Sequence, residues 1–304
     1  MTKPYESQAP HPGPASTTRP GRKLGPITEN VGSAHRAWLE PMRDSYLKSG
    51  LTMSELSGRV RFAKSKISEL LRGAGLYPRW EMLQSVSIEL RIPQGPLQRL
   101  WRQGAFEGQK SKEWVERSSG KTALTMSPPV PPLDHRAFRE LMETQYTLYA
   151  QVFLNDDQRD AVVSDVFDIL WLRWNEALSS PALRLYAWRV LRTNVMSRTP
   201  HIDGRPSFAT AAFDTVALQS LAEADHDARA AQIEETLELF KAMSRLPDHQ
   251  LDVMVLRHLC GMPPEEASDL LGVPVATVRS DERHALHFLE SVMCPPPETE
   301  GNTL

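Results

Sequence analysis

RLPDHQLDVMVLRHLCGMPPEEASDLLGVPVATVRSDERHALHFLESV, residues 245–292, decides the fold of this chain. Leu251, Val255, Leu256 and Leu259 recur at the helical period, and Gly261 followed by Pro263 and Pro264 stops that helix. A short helix is expected over 265–271, its acidic start suited to the positive end of the helix dipole. Gly272 provides a turn. Pro274 and Thr277 then open a second helix carrying Val278, Ala285, Leu286 and Leu289. Ser268 and Val278 stand ten apart with Gly272 between them, a spacing that lets two helices cross at a small residue while the second stays free to enter a major groove.

The interval recurs far upstream. In LTMSELSGRVRFAKSKISELLRG, from Leu51, Ser57 and Ile67 are also ten apart. Thr52 is a natural N-cap, with Glu55 completing a capping box. The pattern predicts a helix over 52–60, a recognition helix over 64–71 and a stop at Gly73. An earlier helix carries Trp38, Leu39, Met42, Tyr46 and Leu47, and two later ones are expected over 80–90 and 96–103.

These two stretches resemble known families. LPDHQLDVMVLRHLCGMPPEEASDLLGVPVATVRS is similar to region 4 of bacterial sigma factors, above all the extracytoplasmic-function group. The resemblance implies a module that reads the −35 promoter element and touches the RNA polymerase flap, with Thr277, Arg279, Ser280 and Arg283 facing DNA. Residues 34–104, and KSKISELLRG above all, resemble the Cro/phage-repressor (XRE) helix-turn-helix domain, although Arg61 stands where that turn often has glycine. On that resemblance Lys64, Ser65, Lys66 and Ser68 face DNA, where lysine and serine reach phosphates and base edges. The same residues also fit the solvated side of a helix.

Between them, Phe138, Leu141, Met142, Tyr146, Tyr149 and Phe153 line one helix. DAVVSDVFDILWLRWNEAL places Val162, Val163, Val166, Phe167, Leu170, Trp171 and Trp174 on the apolar face of the next. LRLYAWRVLRTNVMSR interleaves arginines with aromatics, a pattern that suits unstacked bases and equally suits rings in a core with arginines in water. Order along the chain favours the first: VVSDVFDILW and YAWRVLRTNVMSR resemble sigma region 2, upstream of region 4 as in that family. The resemblance implies polymerase clamp contacts from Asp160, Ser164, Asp165 and Asp168, and −10 single-strand contacts from Trp188, Arg189, Arg192, Asn194 and Arg198. Ala161 and Ser164 stand where the clamp helix usually has an acid and a glutamine, and Ser197 begins the stretch that usually reads Asp-x-x-Arg. In the C-terminal helix, Asp281 falls where a basic or polar group usually meets the DNA backbone, and Glu282 where an apolar residue usually packs.

Charge divides along the chain. Residues 34–104 hold twelve Lys/Arg against six Asp/Glu, whereas 205–290 hold seven against fifteen. The basic module invites phosphate; the acidic one argues against tight DNA binding by itself. The 304 residues leave room for two or three domains, and no apolar run reaches bilayer length. The N-terminus lacks a signal h-region, and Cys260 and Cys294 have no metal-ligand spacing, which suits reduced thiols in the cytoplasm. His226 between Asp225 and Asp227, and His201 near Asp203, lack a second convergent cluster. No P-loop, nucleophile elbow or dinucleotide fingerprint occurs, so neither catalysis, metal nor cofactor is expected.

The expected architecture is all-α with three helical domains. A disordered tail (1–33) precedes a five-helix XRE-like domain (34–104) and a Pro-rich spacer (105–132). A sigma region 2-like bundle (133–204), a hinge with a region 4-like domain (205–294), and a disordered tail (295–304) follow. Val216, Leu218 and Leu221, then Ile233, Leu237, Leu239, Phe240 and Met243, mark helix after the hinge. The resulting expectation is a sigma factor that recruits core RNA polymerase to promoter DNA, with an added N-terminal DNA-binding domain and, as in that family, room for an anti-sigma partner. The alternative, drawn from Ala161, Ser164, Ser197, Asp281 and Glu282, is a DNA-binding regulator on a sigma scaffold that no longer initiates.

Overall fold

The computed structural model describes residues 24–119, 130–210, 212–213 and 226–294, the side chains of 226–232 excepted. Val216, Leu218, Leu221, the side chain of His226 with its neighbours Asp225 and Asp227, and the expected tails over 1–23 and 295–304 lie outside the described residues. What is described is helical, apart from one hairpin pairing His201–Ile202 with Arg205–Pro206 antiparallel. Asp203 (φ 52°) and Gly204 (φ 74°) make its two-residue turn, the left-handed geometry that such hairpins favour.

The N-terminal unit comprises α1 (Ser33–Lys48), α2 (Met53–Val60), α3 (Lys64–Arg72), α4 (Trp80–Glu89), α5 (Gln94–Glu107) and α6 (Lys112–Ser119). The capping box at α2 is present: the Thr52 hydroxyl accepts from the Glu55 amide at 3.2 Å, and the Glu55 carboxylate accepts from the Thr52 amide at 2.8 Å. α1 lies along α5. A Cβ on Gly104 would come within 3.0 Å of the His35 backbone, so the two helices meet at a residue with no side chain. Around this crossing Tyr77 Oη accepts from Trp38 Nε1 (3.0 Å) and donates to the Trp101 carbonyl (2.6 Å).

Two sequence expectations need correction here. The spacer expected from residue 105 instead continues α5 and forms α6, where Val115 is buried and Trp114 packs 6.0 Å from Trp101. Its apolar positions are too few to show a period, and the Trp cluster supplies the order. The tail expected up to residue 33 is ordered from Leu24. Thr28 donates from its amide (3.0 Å) and hydroxyl (3.2 Å) to the Arg72 carbonyl, satisfying an orphan acceptor at the end of α3.

The rest comprises α7 (Leu133–Gln151), α8 (Asp156–Leu172), α9 (Trp174–Ser179), α10 (Leu183–Arg198), α11 (His226–Met243), α12 (Asp248–Met254, running into one π-helical turn at Val255–Leu259), α13 (Pro264–Leu271) and α14 (Val275–Met293). Asn155 caps α8 through the Gln158 amide. The described residues bury two apolar clusters where three domains were expected. One spans Val31 to Val115 and takes in Ile169 of α8; the other runs without a break from Phe138 to Leu289. The part expected to be region 2-like and the C-terminal helix-turn-helix part therefore share a core. Ile233, Leu237 and Leu286, expected on apolar stripes, are partly exposed at 47%, 42% and 39%.

His35 lies in the N-terminal unit, its ring stacked 4.8 Å from Trp38 and its Nε2 buried without a partner. Burial pushes its pKa from 6.5 down to about 4. The folded state therefore binds the proton less readily than the unfolded chain. The contribution is complete above pH 6.5 and is lost as pH falls towards 4. The expected loss is about 3 kcal/mol at 1.36 kcal/mol per unit. Denaturant titrations between pH 7 and 4 should show this slope in the wild type and a flatter one in His35→Gln.

Candidate nucleic-acid interface

Two helix-turn-helix units share one turn device. In the N-terminal unit Ser57 Oγ donates to the Phe62 carbonyl (2.7 Å), Arg61 is left-handed (φ 57°), and Ile67 is fully buried. In the C-terminal unit Ser268 Oγ donates to the Val273 carbonyl (2.6 Å), Gly272 is left-handed (φ 68°), and Val278 is fully buried. The serine closes the turn, the fourth residue after it reverses the chain, and the tenth plugs the space between the helices. Arg61 adopts the glycine-type conformation despite its Cβ, at a local cost of about 1 kcal/mol.

α3 and α14 turn the expected side chains outward to different degrees. Lys64, Ser65 and Lys66 are exposed and Ser68 is half-buried; Thr277, Arg279 and Arg283 are exposed and Ser280 is half-buried. Lys66 pairs with Glu69 (2.7 Å) and Arg279 with Glu265 (2.8 Å), both on the surface. Such pairs contribute about 1 kcal/mol or less, so a phosphate can displace either acid. The two acids that depart from the region 4 pattern are held inside the fold. Glu282 accepts from Arg257 and faces His258, each at 3.1 Å, while Asp281 lies 3.5 Å from His249. Glu282 thus occupies a packing position as a paired ion with Arg257.

The residues of α10 divide differently. Arg189 is exposed, and Asn194 is half-buried, its side chain donating to the Val190 carbonyl. Trp188, Arg192 and Arg198 are held within the protein. Asp252 of α12, 3% exposed, accepts from Tyr149 Oη at 2.7 Å, Trp188 Nε1 at 3.2 Å and Arg192 Nε at 2.8 Å. Burial raises the Asp252 pKa, and Arg192 opposes that shift. Arg192 also reaches Asp248 at 2.9 Å. Close by, the turn of the C-terminal helix-turn-helix sits on the start of α10: a Cβ on Gly272 would fall on the backbone nitrogen of Leu185, and Arg184 pairs with Asp269 at 2.9 Å. Asp252 was the signal that sequence reasoning missed, an acid next to the start of the otherwise apolar run Leu251–Leu256.

On α8, Asp160 is exposed and pairs with Arg159, and Ser164 is half-buried. Asp165 is buried and accepts from Arg198 at 2.5 Å; burial raises its pKa against the pull of that arginine. Asp168, 3% exposed, takes both forks of Arg99 from α5, Nε at 2.8 Å and Nη2 at 2.5 Å. The four residues read as a clamp-binding set thus have three different environments. No group of three or more metal-ligating side chains occurs among the described residues, and none of their helices is long and apolar enough to cross a membrane.

Removing Asp252 takes the acceptor from Tyr149 and Trp188 and leaves Arg192 with only the exposed Asp248. Asp252→Ala should lower stability by about 3 kcal/mol, the cost of breaking a buried pair. Urea unfolding followed by far-ultraviolet circular dichroism checks this against the wild type.

The family model described as Sigma-70, region 4 matches residues 236–287. That span holds the second half of α11, all of α12 and α13, and most of α14. The comparisons with curated proteins and with solved structures return no match. The C-terminal helix-turn-helix is thus similar to the DNA-binding region 4 module of sigma-70 factors, a family that works with RNA polymerase.

Proposed function

We propose that the chain is a cytoplasmic, sequence-specific transcription initiation factor of the sigma type, of extracytoplasmic-function character, with an additional XRE-like DNA-binding domain at its N-terminus. The observation that carries this reading is the match to region 4 over a helix-turn-helix whose recognition helix leaves Thr277, Arg279 and Arg283 outward. Those groups would read the −35 element. α8 would supply the contact to core RNA polymerase, and Arg189 with its neighbours on α10 the contact to the melted −10 strand. Lys64, Ser65 and Lys66 would give the N-terminal domain its own DNA address. The chemistry of initiation belongs to the polymerase, and no catalytic role is assigned to this chain.

A second reading is favoured by a specific observation. Trp188 and Arg192 are engaged by Asp252, and Arg198 by Asp165. A scaffold that keeps these groups for its own core would serve as a DNA-binding regulator without melting promoters. Run-off transcription with purified chain and core polymerase on genomic fragments separates the two. Specific initiated transcripts support the sigma reading; DNA retained without transcripts supports the regulator.

Two substitutions test the assigned contacts. Arg279→Ala should reduce promoter-specific transcription about tenfold, the lower end of what a base or phosphate contact contributes; unaltered output removes Arg279 from the interface. Lys66→Ala should weaken DNA binding and reduce the slope of log K against log salt by about one. An unchanged slope measured by filter binding removes Lys66 from the phosphate contacts.

A further inference from the structure

The N-terminal unit is seated on α8, the helix that the sigma reading assigns to polymerase, with Glu176 of α9 at the edge of the contact. Contact comes from α1 and α5, whereas the recognition helix α3 is not among the elements packed on α8. At the centre Ile169 of α8 is 6% exposed and belongs to the N-terminal apolar cluster, with Leu172 and Val190 packed beside it. Arg99 grips Asp168 with two hydrogen bonds, and its guanidinium lies 6.0 Å from the Trp171 ring. Charges ring this centre in complementary order. Lys48 meets Glu176 at 3.2 Å, and Arg173 meets Asp44 at 3.1 Å and Glu40 at 3.5 Å.

This composition is that of a separable interface. Its apolar centre is small and its rim is charged, the balance of a transient contact and not of a domain core. The N-terminal unit also has a core of its own: Trp38, Leu39, Ile67, Leu97, Leu100 and Trp101 are at most 1% exposed and all come from residues before 119. Undocking would uncover Asp168 and Ile169 without unfolding either side.

We propose that the N-terminal helix-turn-helix domain is an intramolecular cap on α8, so that its docking and the binding of core RNA polymerase to this helix exclude one another. This rests on the sigma reading of α8. The cap uses α1 and α5 and leaves α3 exposed, so the docked domain keeps its DNA-facing side free. Arg99 acts as a positioning residue: it presents to Asp168 the positive charge that a basic polymerase surface would otherwise provide.

The geometry supplies its own probe. Lys48 Nζ and a Glu176 carboxylate oxygen are 3.2 Å apart, within reach of a zero-length carbodiimide. In full-length wild type this pair should cross-link, as read by mass spectrometry, and Arg99→Glu should reduce the yield at least fivefold. Asp44→Arg, which sets a like charge against Arg173 at an exposed site, serves as an independent opening variant if Arg99→Glu fails to fold. Each protein is then titrated with core polymerase by fluorescence anisotropy. An open variant that binds at least tenfold more tightly than wild type supports the cap. Reduced cross-linking with equal, measurable affinities overturns the cap and leaves the sigma reading standing. Reduced cross-linking with binding by neither protein overturns both, and locates the failure in the sigma reading. Absence of the Lys48–Glu176 product from wild type overturns the docking itself.

Discussion

A buried carboxylate governs the larger half of this molecule. Asp252 has almost no contact with water, and an ionised acid there is tolerated only while its oxygens are fully occupied. Tyr149 of α7, Trp188 and Arg192 of α10 occupy them. Three helices are thereby fixed to one pair of oxygen atoms. The region 2-like bundle and the C-terminal helix-turn-helix cannot rotate against each other while these bonds hold. Gly272 reinforces the same junction by letting the turn rest on the backbone of α10. The shared apolar core from Phe138 to Leu289 follows from that junction.

Arginine has the opposite role at two acids of α8, Asp165 and Asp168, which stand one turn apart. Arg198, from within the same half, neutralises Asp165; Arg99, from the N-terminal unit, neutralises Asp168. The first pair joins neighbouring helices of one core and is conditional on nothing outside it. The second closes a surface that both partners can leave. A single acidic helix face thus carries one internal bond and one external bond, and only the external one is available for exchange with another basic partner.

Much of the fold was legible in the sequence because turns are local. Ser57, Arg61 and Ile67 match Ser268, Gly272 and Val278 position for position, and Thr52 with Glu55 announces its helix start. The outward groups of α3 and α14 were placed by the family resemblance, and those side chains do lie exposed or half-buried. Two kinds of feature were not legible. α6 and the segment before α1 have no periodic apolar face; they are ordered by tryptophans and by an orphan carbonyl that only the folded unit brings near. The fates of Trp188, Arg192 and Asp168 depend on partners sixty or more residues away, and an arginine reads the same in sequence whether it meets a phosphate or a carboxylate. Glu282 was legible as an anomaly but not as a solved one, since Arg257 and His258 reach it from another helix.

The distances along the chain between these partners also set an order of events during synthesis. Apart from Ile169, the buried N-terminal cluster is synthesised once α6 has left the ribosome, and its contacts are comparatively local. Tyr149 must wait for Asp252, 103 residues later, before its hydroxyl has its acceptor. Contacts that span such loops form late, and the apolar faces awaiting them are prone to stray association. During that interval α8 emerges beside a folded domain carrying Arg99 and the charged rim of α1. Docking on α8 thus precedes the arrival of α12, which completes the larger core last.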